Sequence, residues 1–546
     1  MTLHYILLLL FIPIYYTYIF ISLFKNISSF DLPFDTLEIL PINFEYILQI
    51  LNQIFPYVIY FSSLILTIVL FKSYNIKSLK SKNNPKKDNK KTDISLLIGE
   101  NEKREQIYIN SLSLYQNILI TGAIGSGKTS STIYPFLKQL LSFDKICGLI
   151  LDVKGNMKHT ISTFCKDKNL IVIELFGKYK YNPLHKASLK PQVLADRLVT
   201  ILKLFSNTQS TDAYWFDKAS QMLTEAIKLI RLYNNGYVDF IELHKIITSP
   251  KYVEEKIEYV KNLFLHNKLN HNMQFDFNTI LSYFKNEYIT LDPKILSIIL
   301  SEITRLTLVF VNDLDVCNTF CPKKNEITFS GFENIFDNND IVLLNISIGQ
   351  YPNLSKIICA YLKLDYQTEV FKRDTNMCTP SFFVCDEYQE YVTENDSNYF
   401  SLSREFKAIN IVSTQSYSSL LNALNNEHTL NVIIQSFVNK IFLRTDDVYT
   451  IEHCQRLFGK EEKTKISSSI SENAQETNYN YMLKIMHSKK SNISQSLSSY
   501  TYLDNIFDTK DFSLNLHSFE AIAYLSEGTS MLPPMKIKLY PYFRKE

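Results

Sequence analysis

Glycine, arginine and paired cysteines are all scarce in this chain. Only 12 of the 546 residues are glycine and nine are arginine. Isoleucine, asparagine and lysine are abundant, which suggests an AT-rich genome, so an arginine inside a motif is more informative than a lysine. The eight cysteines form no Cys-x-x-Cys pair, and Cys317 and Cys321 have no second pair at ligand spacing. This distribution favours a reducing compartment and argues against a zinc site.

A strong net charge is also missing. The 57 basic and 55 acidic side chains give a formal charge of +2 at pH 7. No global basic field therefore indicates nucleic-acid binding, and any contact with a polyanion must be local. Hydrophobic residues make up 46% of the chain, which excludes a disordered protein and predicts two or three domains with large cores.

A glycine-rich loop follows an apolar run. Residues 122–129, GAIGSGKT, fit the pattern G-x-x-x-x-G-K-[ST], and residues 117–121 are typical of a buried strand that ends where the loop turns. The loop's backbone N–H groups and the next helix can hold an anion, with the lysine on the outer phosphates and the threonine hydroxyl on Mg²⁺. The candidate nucleotide-binding residues are Gly122, Gly125, Ser126, Gly127, Lys128, Thr129 and Ser130.

Two later strands end in carboxylates, at Asp152 and at Asp386-Glu387. Ligands of parallel α/β sheets bind at this edge, where an aspartate can hold the Mg²⁺ shell and a neighbouring glutamate can orient or deprotonate water. Only the second pair offers both roles. We therefore predict Asp386 as a metal residue with Thr129, and Glu387 as the catalytic glutamate. The alternative for such a pair is a strand-end acid that caps a loop.

Two further patterns concern the nucleotide. Residues 152–155, DVKG, match the D-x-x-G of GTPases, but no Asn-Lys-x-Asp for guanine recognition occurs, which weakens a GTPase interpretation. A third strand, within residues 408–417, ends at Thr414 and Gln415. The Gln415 amide is placed to sense the γ-phosphate or the attacking water.

Strand and helix alternate across 117–151, 341–373 and 381–443, which predicts an α/β fold of the P-loop NTPase class, RecA or additional-strand type. Helical patterning between these parts, as in residues 216–232, predicts an inserted all-α domain. The expected divisions are a membrane anchor at 1–72, a basic linker at 73–100, ATPase parts at 101–190 and 336–546, the helical domain at 191–335, and a Ser- and Asn-rich loop at 463–500.

Two N-terminal runs, residues 3–24 and 54–71, are apolar and near the length that crosses a bilayer. The first has no cleavage-site pattern after it, so we expect a retained anchor. Residues 72–91 carry eight lysines and one aspartate, which places both termini and the bulk of the chain in the cytoplasm. The alternative is two buried core helices.

In this order the motifs resemble those of the type IV coupling proteins, the TraG/TraD-like membrane ATPases of conjugation and type IV secretion. The resemblance covers nearly the whole chain. It departs from the family at the Ser- and Asn-rich tract. The segments that carry it are the two membrane runs, GAIGSGKTSSTIYP with Pro135, LDVKGN, YNPL at 181–184, the helical insertion, CDEYQEY, STQS at 413–416 and the proline-bearing end at 532–542.

The resemblance implies a homo-hexameric ATPase ring at the inner membrane that uses ATP and Mg²⁺. It implies that this ring recruits relaxase-bound single-stranded DNA without sequence preference and passes it to a type IV secretion channel. It also implies that Arg404, eleven residues before Gln415, acts on a neighbouring subunit's nucleotide, with Arg444 as the competing candidate. The predicted catalytic residues are thus Glu387, Arg404 and Gln415.

Two other functions stay open from the sequence. One is a double-strand DNA pump of the same ATPase superclass. The other is a membrane docking receptor for secreted proteins, in which nucleotide binding only stabilises assembly. DNA-stimulated hydrolysis separates the ATPase functions from the receptor.

Overall fold

The computed structural model describes residues 94–166, 168–205, 213–265, 271–472, 477–480, 482, 485–488 and 493–543. The chain divides into two compact units at residue 92, and all the described residues belong to the second. The predicted membrane runs at 3–24 and 54–71 lie outside the described residues. Among the described residues, no single helix is long and apolar enough to cross a bilayer. One pair of helices, Pro293–Val311 and Leu314–Phe320, has sufficient length and hydropathy only when the two are taken together, and the chain bends by 93° between them.

Fifteen strands occur in the described part of the chain. They are β1 (Leu96–Asn101), β2 (Gln106–Ile109), β3 (Ile118–Thr121), β4 (Cys147–Asp152), β5 (Leu170–Ile173), β6 (Ile341–Asn345), β7 (Ser381–Cys385), β8 (Ala408–Thr414), β9 (Asn439–Leu443), β10 (Lys460–Glu472), β11 (Thr477–Asn480), β12 (Ile485–Ser488), β13 (Ile493–Asn505), β14 (Glu520–Tyr524) and β15 (Met535–Leu539).

The described residues also form eighteen α-helices. They are α1 (Ser111–Leu114), α2 (Tyr134–Leu141), α3 (Lys158–Phe164), α4 (Pro191–Lys203), α5 (Ala213–Tyr233), α6 (Phe240–Thr248), α7 (Pro250–Leu265), α8 (His271–Ser282), α9 (Tyr288–Thr290), α10 (Pro293–Val311), α11 (Leu314–Phe320), α12 (Ile335–Asn338), α13 (Pro352–Phe371), α14 (Asp396–Leu402), α15 (Tyr417–Leu424), α16 (Glu427–Ser436), α17 (Val448–Phe458) and α18 (Thr509–Ser513).

Eleven strands form one sheet in the order β2-β1-β15-β14-β9-β3-β8-β7-β4-β6-β5. The seven strands from β9 to β5 are parallel, and the other four extend the sheet in antiparallel pairs. The prediction of an α/β fold with a large parallel sheet is confirmed. Because β8 lies between β3 and β7, one strand separates the glycine-rich loop's strand from the strand that carries Asp386-Glu387.

Both faces of the sheet are buried, as the continuous apolar runs of its parallel strands require. Ile118 and Ile120 of β3 join a core with α2, whereas Leu119 points to the other face and joins a larger core. Parallel strands end together at one edge of the sheet, and the functional loops follow those ends.

The chain between β5 and β6 is helical, from α4 to α12. Each of its long helices has an apolar face and a polar face, and α4 packs closely against α5. Their buried side chains share one core with the facing side of the sheet. This is the segment for which the sequence predicts an inserted all-α domain.

The structure differs from expectation in two segments. The tract expected as a loop at 463–500 lies mostly in antiparallel strands, because β10 pairs with β13 from Lys460↔Asn505 to Glu472↔Ile493. Its serines are interspersed with Ile, Thr and Tyr, which favour strands, and composition alone hides this. The expected linker at 73–100 also ends early, since β1 begins at Leu96.

Candidate functional site

The glycine-rich loop is held by the strands on either side of β3. The Gly122 N–H donates to the Thr414 carbonyl at the end of β8, at 3.2 Å. The Ala123 N–H donates to the Arg444 carbonyl after β9, at 2.8 Å. The loop therefore begins as a continuation of the sheet, and its position follows from strand order.

Glycine is required in this loop for two physical reasons. A side chain at Gly122 would put its Cβ 2.8 Å from both Leu443 Cβ and Ser126 Oγ. Gly127 has a φ of +94° and Gly125 a φ of +77°, a region that residues with a Cβ rarely adopt. The Ser126 hydroxyl donates to the Ala123 carbonyl at 2.8 Å and closes the turn.

The helix after the loop begins with one wide turn. Residues Thr129–Ile133 form a π-helical turn in which the Tyr134 N–H donates to the Thr129 carbonyl. Pro135 follows at the start of α2, where its missing N–H is least costly. The Ser130 hydroxyl donates back to the Gly127 carbonyl at 3.2 Å. Pro135 of the sequence motif thus lies where the π-helical turn ends and the α-helix begins.

Lys128 is buried inside the loop. Its ammonium donates to the Gly122 carbonyl at 2.5 Å and to the Ala123 carbonyl at 3.3 Å. Burial lowers the pKa of Lys128, and the nearby carboxylates of Glu387 and Asp386 oppose that shift. A cation bonded mainly to backbone carbonyls in a loop of N–H donors is suited to bind a phosphate.

Thr129 and Asp386, the predicted metal pair, are in direct contact. The Thr129 hydroxyl donates to Asp386 Oδ2 at 2.8 Å, although the two residues lie far apart in the chain. The other Asp386 oxygen accepts a short hydrogen bond from the Ser413 hydroxyl of β8. Asp386 is buried, so both oxygens are oriented by neighbours rather than by solvent.

Asp152 at the end of β4 has a different role. Its carboxylate accepts backbone N–H bonds from Lys154 at 3.1 Å, from Gly155 at 3.0 Å and from Met157 at 2.6 Å. It therefore shapes the loop that follows β4. Both Asp152 oxygens are thus engaged by backbone N–H groups.

Both side-chain oxygens of Glu387 accept hydrogen bonds. Oε1 accepts from Lys154 Nζ at 3.0 Å, and Oε2 accepts from Gln389 at 2.8 Å and from Gln415 at 3.1 Å. Burial by itself would raise the pKa of Glu387, but the bonds from Gln389 and Lys154 and the charge of Lys154 leave it below its ordinary value. The carboxylate is therefore ionised at neutral pH.

The backbone at Glu387 is strained, with a φ of +52° in the left-handed region. A buried ion pair supports the turn that follows. Lys363 of α13 donates to Asp396 at 2.6 Å, both side chains being fully buried, and the Tyr388 hydroxyl donates to the same carboxylate at 2.6 Å. The anchoring of Tyr388 holds its neighbour Glu387 in the unfavourable conformation.

The two candidate arginines lie in different places. Arg404 is exposed and precedes β8, at the opposite edge of the sheet from the glycine-rich loop. Arg444 is also exposed but follows β9, where its backbone carbonyl contacts the loop of the same chain. The structure therefore brings Gln415, Glu387 and Asp386 together and leaves Arg404 apart.

Sequence reasoning missed several members of the site. It gave no role to Lys154, Gln389 or Ser413, which contact Glu387 or Asp386. Lys154 stands two residues after the acid that ends β4, but its contact with Glu387 depends on how the loops after β4 and β7 turn, which the sequence does not indicate. The signal for the other two depends on the turn geometry after β7.

The residues present suit a nucleotide with a magnesium ion. Within the described residues, no group of three or more His, Cys, Asp or Glu side chains could hold a metal by itself. Mg²⁺ in phosphate sites is commonly held by one or two protein oxygens, with phosphate and water completing the shell. The adjacent Thr129 and Asp386 oxygens, beside the buried Lys128 ammonium, fit that requirement.

No protein-family model and no curated protein matches the chain. Similar solved structures include the unbound bacterial conjugative coupling protein TrwBdeltaN70, with a TM-score of 0.54, 13% identity and coverage of 80% of this chain and 87% of that one. The plasmid coupling protein TrwB is similar in its complex with ADPNP and in that with ADP and Mg²⁺. Each has a TM-score of 0.53 and 13% identity, covering 78% and 79% of this chain and 86% of theirs.

Proposed function

We propose that this chain, which has the fold of the conjugative coupling proteins, is a membrane-anchored ATPase of the same family. In this proposal it couples DNA to a type IV secretion channel and energises its transfer. The observation that carries the proposal is the 2.8 Å contact between Thr129 and Asp386, with Lys128 and Glu387 beside it. The neighbours solved with ADPNP and with ADP and Mg²⁺ support ATP and Mg²⁺ as cofactors.

The glycine-rich loop would hold the phosphates. The Lys128 ammonium exchanges its carbonyl partners for phosphate oxygens, and the backbone N–H groups of residues 125–130 surround them. Thr129 and Asp386 would hold Mg²⁺, which when bound supplies positive charge to the phosphate oxygens. Ser126 and Ser130 shape the loop through their bonds to backbone carbonyls.

The Glu387 carboxylate would orient the attacking water and accept its proton. Gln415 is bonded to Glu387 at 3.1 Å, so a change at the γ-phosphate can reach β8 and the helix after it through this contact. Arg404 would reach the nucleotide of a neighbouring subunit, because its own loop lies at the other edge of the sheet. The chain would then work as a homo-hexameric ring.

The substrate would be relaxase-bound single-stranded DNA. A chain of net charge +2 can bind such a strand only through a local groove or pore, so we expect sequence-tolerant and salt-sensitive contacts. Residues 3–24 and 54–71 would cross the inner membrane twice and leave the ATPase in the cytoplasm. The relaxase and the channel proteins would be its partners.

The test is ATP hydrolysis by the full-length protein in detergent or lipid discs, with and without single-stranded DNA. We expect hydrolysis to increase with DNA, to lose that increase as salt rises, and to be absent in Lys128→Ala. Double-stranded DNA as the better activator would favour a double-strand pump. Hydrolysis or binding that ignores every DNA and RNA would favour a docking receptor and overturn the proposal.

A further inference from the structure

The last two strands bring an additional segment to the edge that carries the glycine-rich loop. Strand β14 runs antiparallel to β9, with Ala521 opposite Leu443, so β14 starts where β9 ends. Strand β15 runs antiparallel to β14, with Lys538 opposite Glu520, so β15 ends at the same edge. The residues just before β14 and just after β15 therefore lie beside the loop.

Four aromatic rings from these segments and from α2 form a connected group, here called the aromatic cluster: Tyr134, Phe519, Tyr542 and Phe543. The ring centroids are 4.9 Å apart for Tyr134 and Tyr542, 5.4 Å for Tyr542 and Phe543, and 5.8 Å for Phe519 and Phe543. Tyr542 is 39% exposed and Phe543 is 59% exposed. Tyr134 belongs to the hydrophobic core and Phe519 packs against that core, whereas Tyr542 and Phe543 present open aromatic surface to solvent.

Two contacts fix the cluster to the glycine-rich loop. The Tyr542 N–H donates to the Ser130 carbonyl at 2.9 Å, in the first turn after Lys128 and Thr129. The Phe519 ring lies against Gly127, where an added Cβ would be 3.0 Å from the ring. The aromatic surface therefore adjoins the place where phosphates would bind.

Phe519 is held in an unfavourable backbone conformation. Its φ is +68°, a region that bulky residues rarely occupy. The Leu539 N–H donates to the Phe519 carbonyl at 2.7 Å and helps to keep the residue there. Strain of this kind concentrates at functional sites, and here its effect is to lay a ring over the loop glycine.

We propose that the aromatic cluster binds the base of the nucleotide whose phosphates the glycine-rich loop holds. The inference rests on the proposed nucleotide-binding function and adds a base subsite to it. A flat heteroaromatic base stacks on exposed rings, and stacking accepts any base because every base has a π-face. The cluster therefore binds adenine and guanine nucleotides with similar affinity.

The test compares two ligands on the full-length protein by calorimetry: a non-hydrolysable ATP analogue, which has a base, and inorganic tripolyphosphate, which has none. Phe543→Ala and Phe519→Leu should weaken binding of the analogue about 5- to 10-fold, the scale of one lost stacking contact. Affinity for tripolyphosphate should not change. Phe275→Ala, which removes an exposed ring from α8, is the matched control and should alter neither.

Phe543→Trp provides a second measurement that does not depend on loss of binding. The indole keeps the stacking surface, so affinity for the analogue should be retained, and its fluorescence should change with the analogue but not with tripolyphosphate. Equal weakening of both ligands in Phe543→Ala and Phe519→Leu, or no weakening of either, would overturn the base subsite. Failure of the unmodified protein to bind both ligands would instead reject the nucleotide-binding function itself.

Discussion

Lys154 is a cation that lies close to both carboxylates of the site. Its ammonium is 3.0 Å from Glu387 Oε1 and 3.9 Å from Asp386 Oδ2, and about half of its side chain is exposed. Burial lowers the pKa of Lys154, but the two carboxylates outweigh this and raise it. The side chain is therefore a cation at neutral pH beside the Glu387 carboxylate.

Lys154→Met should make Glu387 easier to protonate. The pKa of Glu387 is held below its ordinary value partly by Lys154, so removal of the cation raises that pKa. The acid limb of the pH profile of kcat/KM for ATP should then move to higher pH. Lys158→Met is the matched control, because Lys158 is similarly exposed and pairs with Glu174, away from the site. An acid limb that stays in place would contradict the assignment.

Lys128 and Glu387 should separate binding from hydrolysis. Lys128→Ala removes the buried cation of the loop and should abolish nucleotide binding. Glu387→Gln keeps the shape of the side chain but cannot accept a proton, so ATP should bind while turnover falls at least ~10²-fold. Equal loss of binding in both variants, measured by calorimetry and single-turnover kinetics, would argue against these roles.

The sequence could predict the residues whose position follows from strand order. Lys128, Asp386 and Gln415 follow parallel strands, and such strands end at one edge of a sheet. The bond between Lys154 and Glu387 could not be predicted, because it depends on how two separate loops turn. The left-handed backbone of Glu387 likewise has no signature in the chain around it.

Strand β9 carries a buried lysine, Lys440, whose positive charge is unfavourable in the folded state. Burial lowers the pKa of Lys440 to about 8, and its ammonium donates to the Phe437 carbonyl. In the unfolded chain the pKa would be about 10.4. Between these values the unfolded state binds more protons, so the lysine's contribution to stability rises as pH increases from about 8 to about 10.

Lys440→Met should remove this pH dependence. The substitution avoids burying a charge, so the free energy of unfolding at pH 7 should rise by ~2 kcal/mol after the lost hydrogen bond is counted. The gain should shrink toward pH 10, where the native lysine is neutral. Urea titrations at pH 7 and pH 9.5 measure the difference. A gain that is the same at both pH values would show that the lysine charge is not its cause.

The β10 and β13 pair should be dispensable for nucleotide binding. The contacts of the site come from the glycine-rich loop and from the ends of β4, β7 and β8. Lys463 lies opposite Tyr502, so replacing residues 464–501 by Asn-Gly closes a short hairpin there. The shortened protein should bind the ATP analogue with unchanged affinity. A weaker affinity, in a protein with an unchanged circular dichroism spectrum, would assign the pair a part in the site.

The position of Arg404 decides whether it can act on the nucleotide of its own subunit or on that of a neighbouring subunit. Its side chain is exposed, and it precedes β8 while the glycine-rich loop follows β3, which is parallel to β8. A chain cannot bring both ends of neighbouring parallel strands to one phosphate. Arg404 can therefore serve a nucleotide only across a subunit boundary.

Mixing experiments test this arrangement. Arg404→Ala should bind ATP and lose hydrolysis, and so should not differ from Lys128→Ala in activity. A mixture of the two should recover part of the activity, because an intact Lys128 site can meet an intact Arg404 from its neighbour. The same mixture with Arg444→Ala should gain no activity beyond that of Arg444→Ala alone, since Arg444 adjoins the loop of its own chain. If Arg404→Ala alone hydrolyses ATP at the wild-type rate, Arg404 has no part in hydrolysis.

The register of β1 has a mechanical consequence. Asn101 lies opposite Ile537 and Gly99 opposite Leu539, so β1 starts at the edge where β15 ends. The described chain begins at that end of the sheet with residue 94, and β1 runs alongside the strand that leads to Tyr542. A pull applied at residue 94 would load the hydrogen bonds between β1 and β15 in shear. Such a force would reach β15 and, through the bond from Tyr542 to the Ser130 carbonyl, the first turn after the glycine-rich loop.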